Sequence, residues 1–222
     1  MAEDAERDDE QRATTVVLVR HGESNSSVSR SIGGPRTCSG VSPLGRRQCA
    51  RLAARLQETG ELAGAHLYAS HYPRAIETAE LLAPAIGDPP IVVDDGFGEH
   101  DPGPECDGLT FETFLERHGM PDWEGDPYAV TFPGGETIAE LHHRVGLALH
   151  RVCARHAGER VVVCCHGGVV NAAMRLALQA PMSGGFEMYT ANTSLTELVL
   201  VRPGRWRLLR YNDTAHLAGL ES

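Results

Sequence analysis

Apolar residues in this chain come in short continuous runs and in sets at helical spacing, and the two kinds alternate. The first run, T-T-V-V-L-V from Thr14, predicts a buried strand that leads straight into Arg20, His21 and Gly22. A polar loop rich in Ser and Gly follows, up to Val41. Ser42 and Pro43 then read as the N-cap and first position of a helix running to about Glu58. Ala65 to Ala69 reads as a short strand, and a second helix starts near Tyr72. Ile91 to Val93 is another strand, and a loop dense in Gly, Pro and acids spans Asp94 to Gly108. Thr110 opens a short helix, and an irregular stretch covers Gly119 to Gly135. Thr137 and Glu140 form a T-x-x-E capping box. In the helix after it, Ile138, Leu141, Val145, Leu149 and Val152 share one face. Arg160 to Cys165 is a strand ending at His166-Gly167-Gly168, with a helix after it through Leu178. Thr193 to Tyr211 reads as two strands joined at Pro203-Gly204. This alternation predicts an α/β fold, a three-layer α/β/α sandwich with a mostly parallel sheet. Neither an internal repeat nor an interdomain linker interrupts it.

Length and charge narrow the picture. A chain of 222 residues suits one sizeable domain. Residues 1 to 13 are highly charged and poor in apolar groups, which predicts a disordered acidic tail before a domain over 14–222. The tail has neither the basic start nor the apolar stretch of a secretory signal. No apolar run approaches the length of a membrane span. The net charge is −10, and the tail supplies 2 − 6 = −4 of it, leaving −6 on the body. That balance argues against nonspecific binding to nucleic acid or to anionic membranes. All 20 basic residues are arginine. Without lysine, Schiff-base enzymes and P-loop NTPases are excluded. The six cysteines form no C-x-x-C pair, which points to a reduced, cytoplasmic protein without disulfides.

The chemistry-bearing residues stand directly after strands. R-H-G-E-S follows the first and C-H-G-G the fourth. Ligands of open α/β sheets bind outside the carboxyl ends of the strands, so His21 and His166 share a crevice if those strands are neighbours. Arg74 begins a helix at the same end, where backbone N–H groups also attract anions. Arginine binds phosphate oxygens bidentately, so the set points to a phosphate pocket. His142 and His143 are adjacent on a helix and point apart, a poor arrangement for joint metal coordination.

Six segments in order resemble the histidine phosphatase superfamily, the phosphoglycerate mutase-like proteins: V-L-V-R-H-G-E-S, S-P-L-G-R-R-Q-C-A, A-S-H-Y-P-R-A-I-E-T-A, F-G-E-H-D-P-G with G-L-T-F, P-G-G-E-T, and V-V-V-C-C-H-G-G-V-V, with N-D-T-A-H-L at the end. The resemblance runs from about Thr14 to Leu217. Two departures stand out. Many members carry Asn six residues after the nucleophile, where this chain has Ser27. The acid segment has one extra residue between Gly103 and Gly108 and lacks the usual Trp.

The resemblance implies His21 as nucleophile, Glu99 as proton donor and then base, and Arg20, Ser27, Arg74 and His166 as phosphate ligands. It implies a phosphatase that hydrolyses a small-molecule phosphate monoester through phosphohistidine, with no metal or organic cofactor. A phosphoglycerate-type mutase is the alternative within the family, and the short irregular stretch favours hydrolysis. A catalytically silent phosphate-binding or scaffold protein is the alternative of another class, and the intact Arg20, His21, Arg74 and His166 speak against it. Several other readings compete. Arg74 could pair with Glu77 or Glu80, and Asp101 is the rival acid to Glu99. Glu136 is expected to serve the helix N-terminus. Asn212 and His216 should fix the C-terminal segment, and Trp123 and Tyr128 should pack.

Overall fold

The computed structural model describes residues 13–220. The expected acidic tail, Ala13 excepted, lies outside the described residues. Strand β1 (Thr14–Arg20) pairs in parallel with β4 (Arg160–Cys165). On the far side of β4 come β2 (His66–Ala69) and then β3 (Ile91–Val93), both parallel. Beyond β1, β5 (Leu195–Arg202) and β6 (Arg205–Asp213) run antiparallel. The order is β3-β2-β4-β1-β5-β6, so the expectation of a mostly parallel sheet holds for its first four strands.

Helices cover both faces. Val17, Val19, Val162 and Cys164 pack with Leu52 and Leu56 of α2 (Pro43–Thr59) and Leu82 and Ile86 of α3 (Pro73–Ile86). The alternate residues Val16, Leu18, Val161, Val163 and Cys165 pack with α6 (Ile138–Arg155) and α7 (Gly167–Leu178). A strand buried on both faces cannot alternate apolar with polar, hence the continuous apolar runs of β1 and β4. Leu141, Val145, Leu149 and Val152 are buried on α6 as their spacing requires, while Ile138 is half-buried.

Local caps add structure that apolar periodicity does not register. Ser24 accepts from the Ser27 N–H and nucleates α1 (Asn25–Val28) inside the polar loop. Asp94 accepts from the Gly96 N–H and starts a 3₁₀ turn over Asp95–Phe97. The acidic loop also contains α4 (Gly103–Cys106), which precedes α5 (Phe111–His118). Under these loops Cys106, Phe114 and Phe132 form a small separate core. Thr137 and Glu140 make both bonds of the capping box. Glu136 stands immediately before that cap, where its carboxylate accepts from the Asp101 N–H and pairs with Arg144.

Candidate active site

β1 and β4 are neighbours, with Arg20 opposite Cys165, so the residues that follow them emerge side by side. The rings of His21 and His166 lie 5.1 Å apart, centroid to centroid, at 63°. Both are buried. Gly22 is needed where the chain leaves β1, because a Cβ there would meet the Gly45 carbonyl at 2.7 Å and Cys49 Sγ at 2.9 Å.

His21 Nδ1–H donates to the Gly22 carbonyl at 2.7 Å, which leaves Nε2 with its lone pair. Arg74 Nε donates to that Nε2 at 3.1 Å and stands 3.3 Å from His166 Nδ1. His166 Nε2 bonds Ser70 Oγ at 2.8 Å. Burial, with the Arg74 charge behind it, holds both imidazoles well below their ordinary pKa and so neutral.

Arg74 is buried at the start of α3, its guanidinium 4.5 Å from the centre of the Tyr72 ring and its Nη1 on the Gly33 carbonyl. It pairs with neither Glu77 nor Glu80. Glu77 serves the Val41 N–H and Arg46. Arg20 donates through Nη1 to the Thr190 carbonyl, while its buried Nε has no protein partner. Such a buried donor is a free point for an anion. Ser27 lines the cleft, its hydroxyl 2.9 Å from Ser24 Oγ.

Glu99 reaches the same cleft across the first turn of α7. It accepts from the His100 N–H at 2.9 Å and from the Gly168 N–H at 3.3 Å. Asp101 turns away, its carboxylate capping the Gly103 N–H. His100 and Trp123 also line the cleft, and Tyr128 is exposed outside it. His71 faces Asp95 at 3.4 Å. Asn212 accepts from the Ala191 N–H and His216 bonds Thr193 Oγ1, both holding the C-terminal segment as expected.

Three residues of the site escaped sequence reasoning. Ser70 follows β2 as His21 follows β1, so its position after a strand was the available signal. Asn192 donates to the His21 carbonyl at 2.8 Å. Arg144 pairs with Glu136 and donates to the carbonyls of Asp95, Gly96, Gly98 and Glu99. Neither of these two carries a local signal. His142 and His143 do diverge, His142 buried on the cleft and His143 exposed. Among the described residues, His66, His156 and Glu159 bring ligand atoms within 4.8 Å of one another. They lie at the opposite, amino end of β2 and β4.

The sheet order, its two helical layers and the cleft above β1 and β4 define a phosphoglycerate mutase-like fold. The solved structure of Bacillus stearothermophilus YhfR matches it with a TM-score of 0.78 at 28% identity, over 92% of this chain and 99% of that one. The model of the histidine phosphatase superfamily (branch 1) matches residues 16–214, and the chain belongs to that superfamily. Phosphoglycerate mutase-like protein 4 of Arabidopsis thaliana is 30% identical over 205 residues, 91% of this chain and 86% of its own length. Phosphoserine phosphatase 1 of Hydrogenobacter thermophilus is 30% identical over 208 residues, 91% and 93% respectively. Relatives named for phosphatase and mutase activities support an enzyme of phosphoryl chemistry. Among the described residues, no helix is long and apolar enough to cross a membrane.

Proposed function

We propose that this protein is a phosphatase that hydrolyses a small-molecule phosphate monoester through a phosphohistidine at His21. The observation that carries the reading is the fixed tautomer of His21. Its Nδ1–H is tied to the Gly22 carbonyl, so a neutral Nε2 lone pair faces a buried arginine. A phosphoryl group held there is attacked at phosphorus by Nε2 while the ester P–O bond breaks. Arg20, Arg74 and His166, with Ser27 at the rim, hold the phosphoryl oxygens and offset the charge that spreads over them. The unpartnered Arg20 Nε is one of the donors available for this.

Glu99 gives its proton to the leaving alkoxide. As a carboxylate it then takes a proton from water, which attacks phosphorus and releases His21 with inorganic phosphate. These steps need no metal or organic cofactor, and the free, buried cysteines support a reduced, cytoplasmic enzyme.

A short incubation with ³²P-labelled ester, quenched in base, should leave label on His21 that is stable to base and lost in acid. Label on Cys or Ser, or full activity in His21→Ala, sinks the mechanism. Phosphate appearing on a second hydroxyl instead of free in solution identifies a mutase.

A further inference from the structure

The cleft extends well past the phosphoryl site. Its volume is about 730 Å³, within the range of about 300–1,000 Å³ that holds whole drug-sized ligands. What lines the part beyond the phosphoryl group decides which alcohol it can hold.

Positive charge is spent at the phosphoryl end, on Arg20 and Arg74. The other arginine of the lining, Arg175, is buried and committed. Its Nε donates to Asn171 Oδ1 at 2.9 Å, Nη1 to the Pro181 carbonyl at 2.7 Å and Nη2 to the Phe186 carbonyl at 2.5 Å. It holds the segment 181–186 against α7. His142 is kept uncharged by burial and by Arg175 beside it. The remaining charges of the outer lining are the carboxylates of Glu124 and Glu187, both exposed. A ligand carboxylate there meets two like charges and no free cation among the described lining residues.

Beside the polar His100, Asn171 and Ser183, the outer lining carries large apolar side chains that face water. Phe186 is 68% exposed, Tyr189 67%, Trp123 43% and Met182 38%. All four line the cleft, as do the buried Phe132 and Leu141. An apolar surface gathered beside a reaction site marks where a ligand's apolar body sits.

Resting on the phosphatase reading, we infer that the substrate is the phosphate monoester of a bulky apolar alcohol that carries no carboxylate. The phosphoryl group enters the arginine pair, and the carbon skeleton lies along Trp123, Met182, Phe186 and Tyr189. Hydrolysis then releases an apolar alcohol and inorganic phosphate.

The test compares kcat/KM for four esters: propyl phosphate, 4-phenylbutyl phosphate, phosphoserine and 3-phosphoglycerate. The first two leave as primary alkoxides of similar basicity, so their ratio reads contact with the carbon skeleton and not acid catalysis. Each buried methylene contributes about fourfold, so the phenylbutyl ester should exceed the propyl ester by well over tenfold. Phenylbutyl over propyl should collapse toward unity in Trp123→Ala/Phe186→Ala. A ratio taken within one variant is insensitive to how much of that variant folds. In Glu124→Gln/Glu187→Arg, 3-phosphoglycerate should gain about tenfold relative to propyl phosphate. Fastest release from phosphoserine or 3-phosphoglycerate, or a phenylbutyl-to-propyl ratio that survives the aromatic truncations, overturns the substrate class and leaves the phosphatase reading standing. Release from none of the four removes that reading itself, and the substrate class with it.

Discussion

In the proposed mechanism Glu99 and Arg74 act on different atoms, so they should separate cleanly in kinetics. A general acid matters most when the leaving alkoxide is basic, whereas a phenolate leaves almost unaided. Glu99→Gln should therefore slow phosphorylation by an alkyl phosphate by about 10²–10⁴-fold, and by an aryl phosphate far less. Single-turnover kinetics is the measurement, since loss of the base also slows dephosphorylation. Arg74→Ala removes contacts to the phosphoryl group and should slow both substrates alike. If Asp101→Asn carries the leaving-group dependence instead, the acid is Asp101, although its carboxylate caps Gly103 here. The buried histidines set a pH dependence of stability. His21 and His166 are held well below their ordinary pKa, burial being the main cause, and burial pushes His216 down to about 4. An unfolded histidine takes up its proton near pH 6.5, at higher pH than these folded ones do. Between those values the unfolded chain binds more protons, so stability rises with pH across that window. Tm should hold above about pH 6.5 and fall as the pH is lowered from there toward 4. A Tm that rises on acidification contradicts the neutral histidines.

Elements matter here by what they hold in place. Arg144 on α6 gathers four carbonyls of the segment carrying Glu99 and is itself pinned by Glu136 at 2.8 Å. Arg144→Met keeps the bulk of the stem and loses those bonds. It should lower the alkyl phosphate rate about tenfold or more while sparing aryl phosphates, the same pattern as a displaced acid. Equal loss on both substrates means that Arg144 supports the fold in general. The first turn of α7 is a second control point. A Cβ at Gly168 would stand 2.2 Å from Glu99 Oε1, so Gly168→Ala must displace that carboxylate and should reproduce the Arg144→Met pattern. At the other end of the irregular stretch, Thr137→Ala removes the cap of α6. It should destabilise the protein by about 0.5–2 kcal/mol in denaturant melts, with little change in turnover.

For the whole molecule, the parallel core β2-β4-β1 carries all three strand-end residues, Ser70, His166 and His21, at one edge of the sheet. The antiparallel pair β5 and β6 completes the sheet, and the segment before β5 supplies Asn192. The acidic tail expected over residues 1–13 lies, Ala13 excepted, outside the described residues. Removing them should leave Tm and activity nearly unchanged, which thermal melts and a phosphate-release assay on the truncated chain will check. A large loss of either assigns the tail to the core or the site.

Most elements were legible from the chain alone, because their signals are local. The double-sided apolar runs of β1 and β4, the Ser42-Pro43 start and the Thr137–Glu140 box each depend on residues a few positions apart. The strand-end histidines and Arg74 were legible for the same reason. Tertiary structure decided the rest. That His21 and His166 share one crevice depends on β1 lying beside β4, a pairing of Thr15 with Arg160 that no local pattern encodes. Whether Glu99 or Asp101 reaches the cleft was settled by the fold of their loop, where Asp101 is consumed as a cap. Arg144 and Asn192 stand in ordinary polar contexts and acquire their partners only when distant segments meet. Glu136, just before the Thr137 cap of α6, acquires its partners in the same way: Arg144 and the Asp101 N–H of the acid loop reach its carboxylate only in the folded chain.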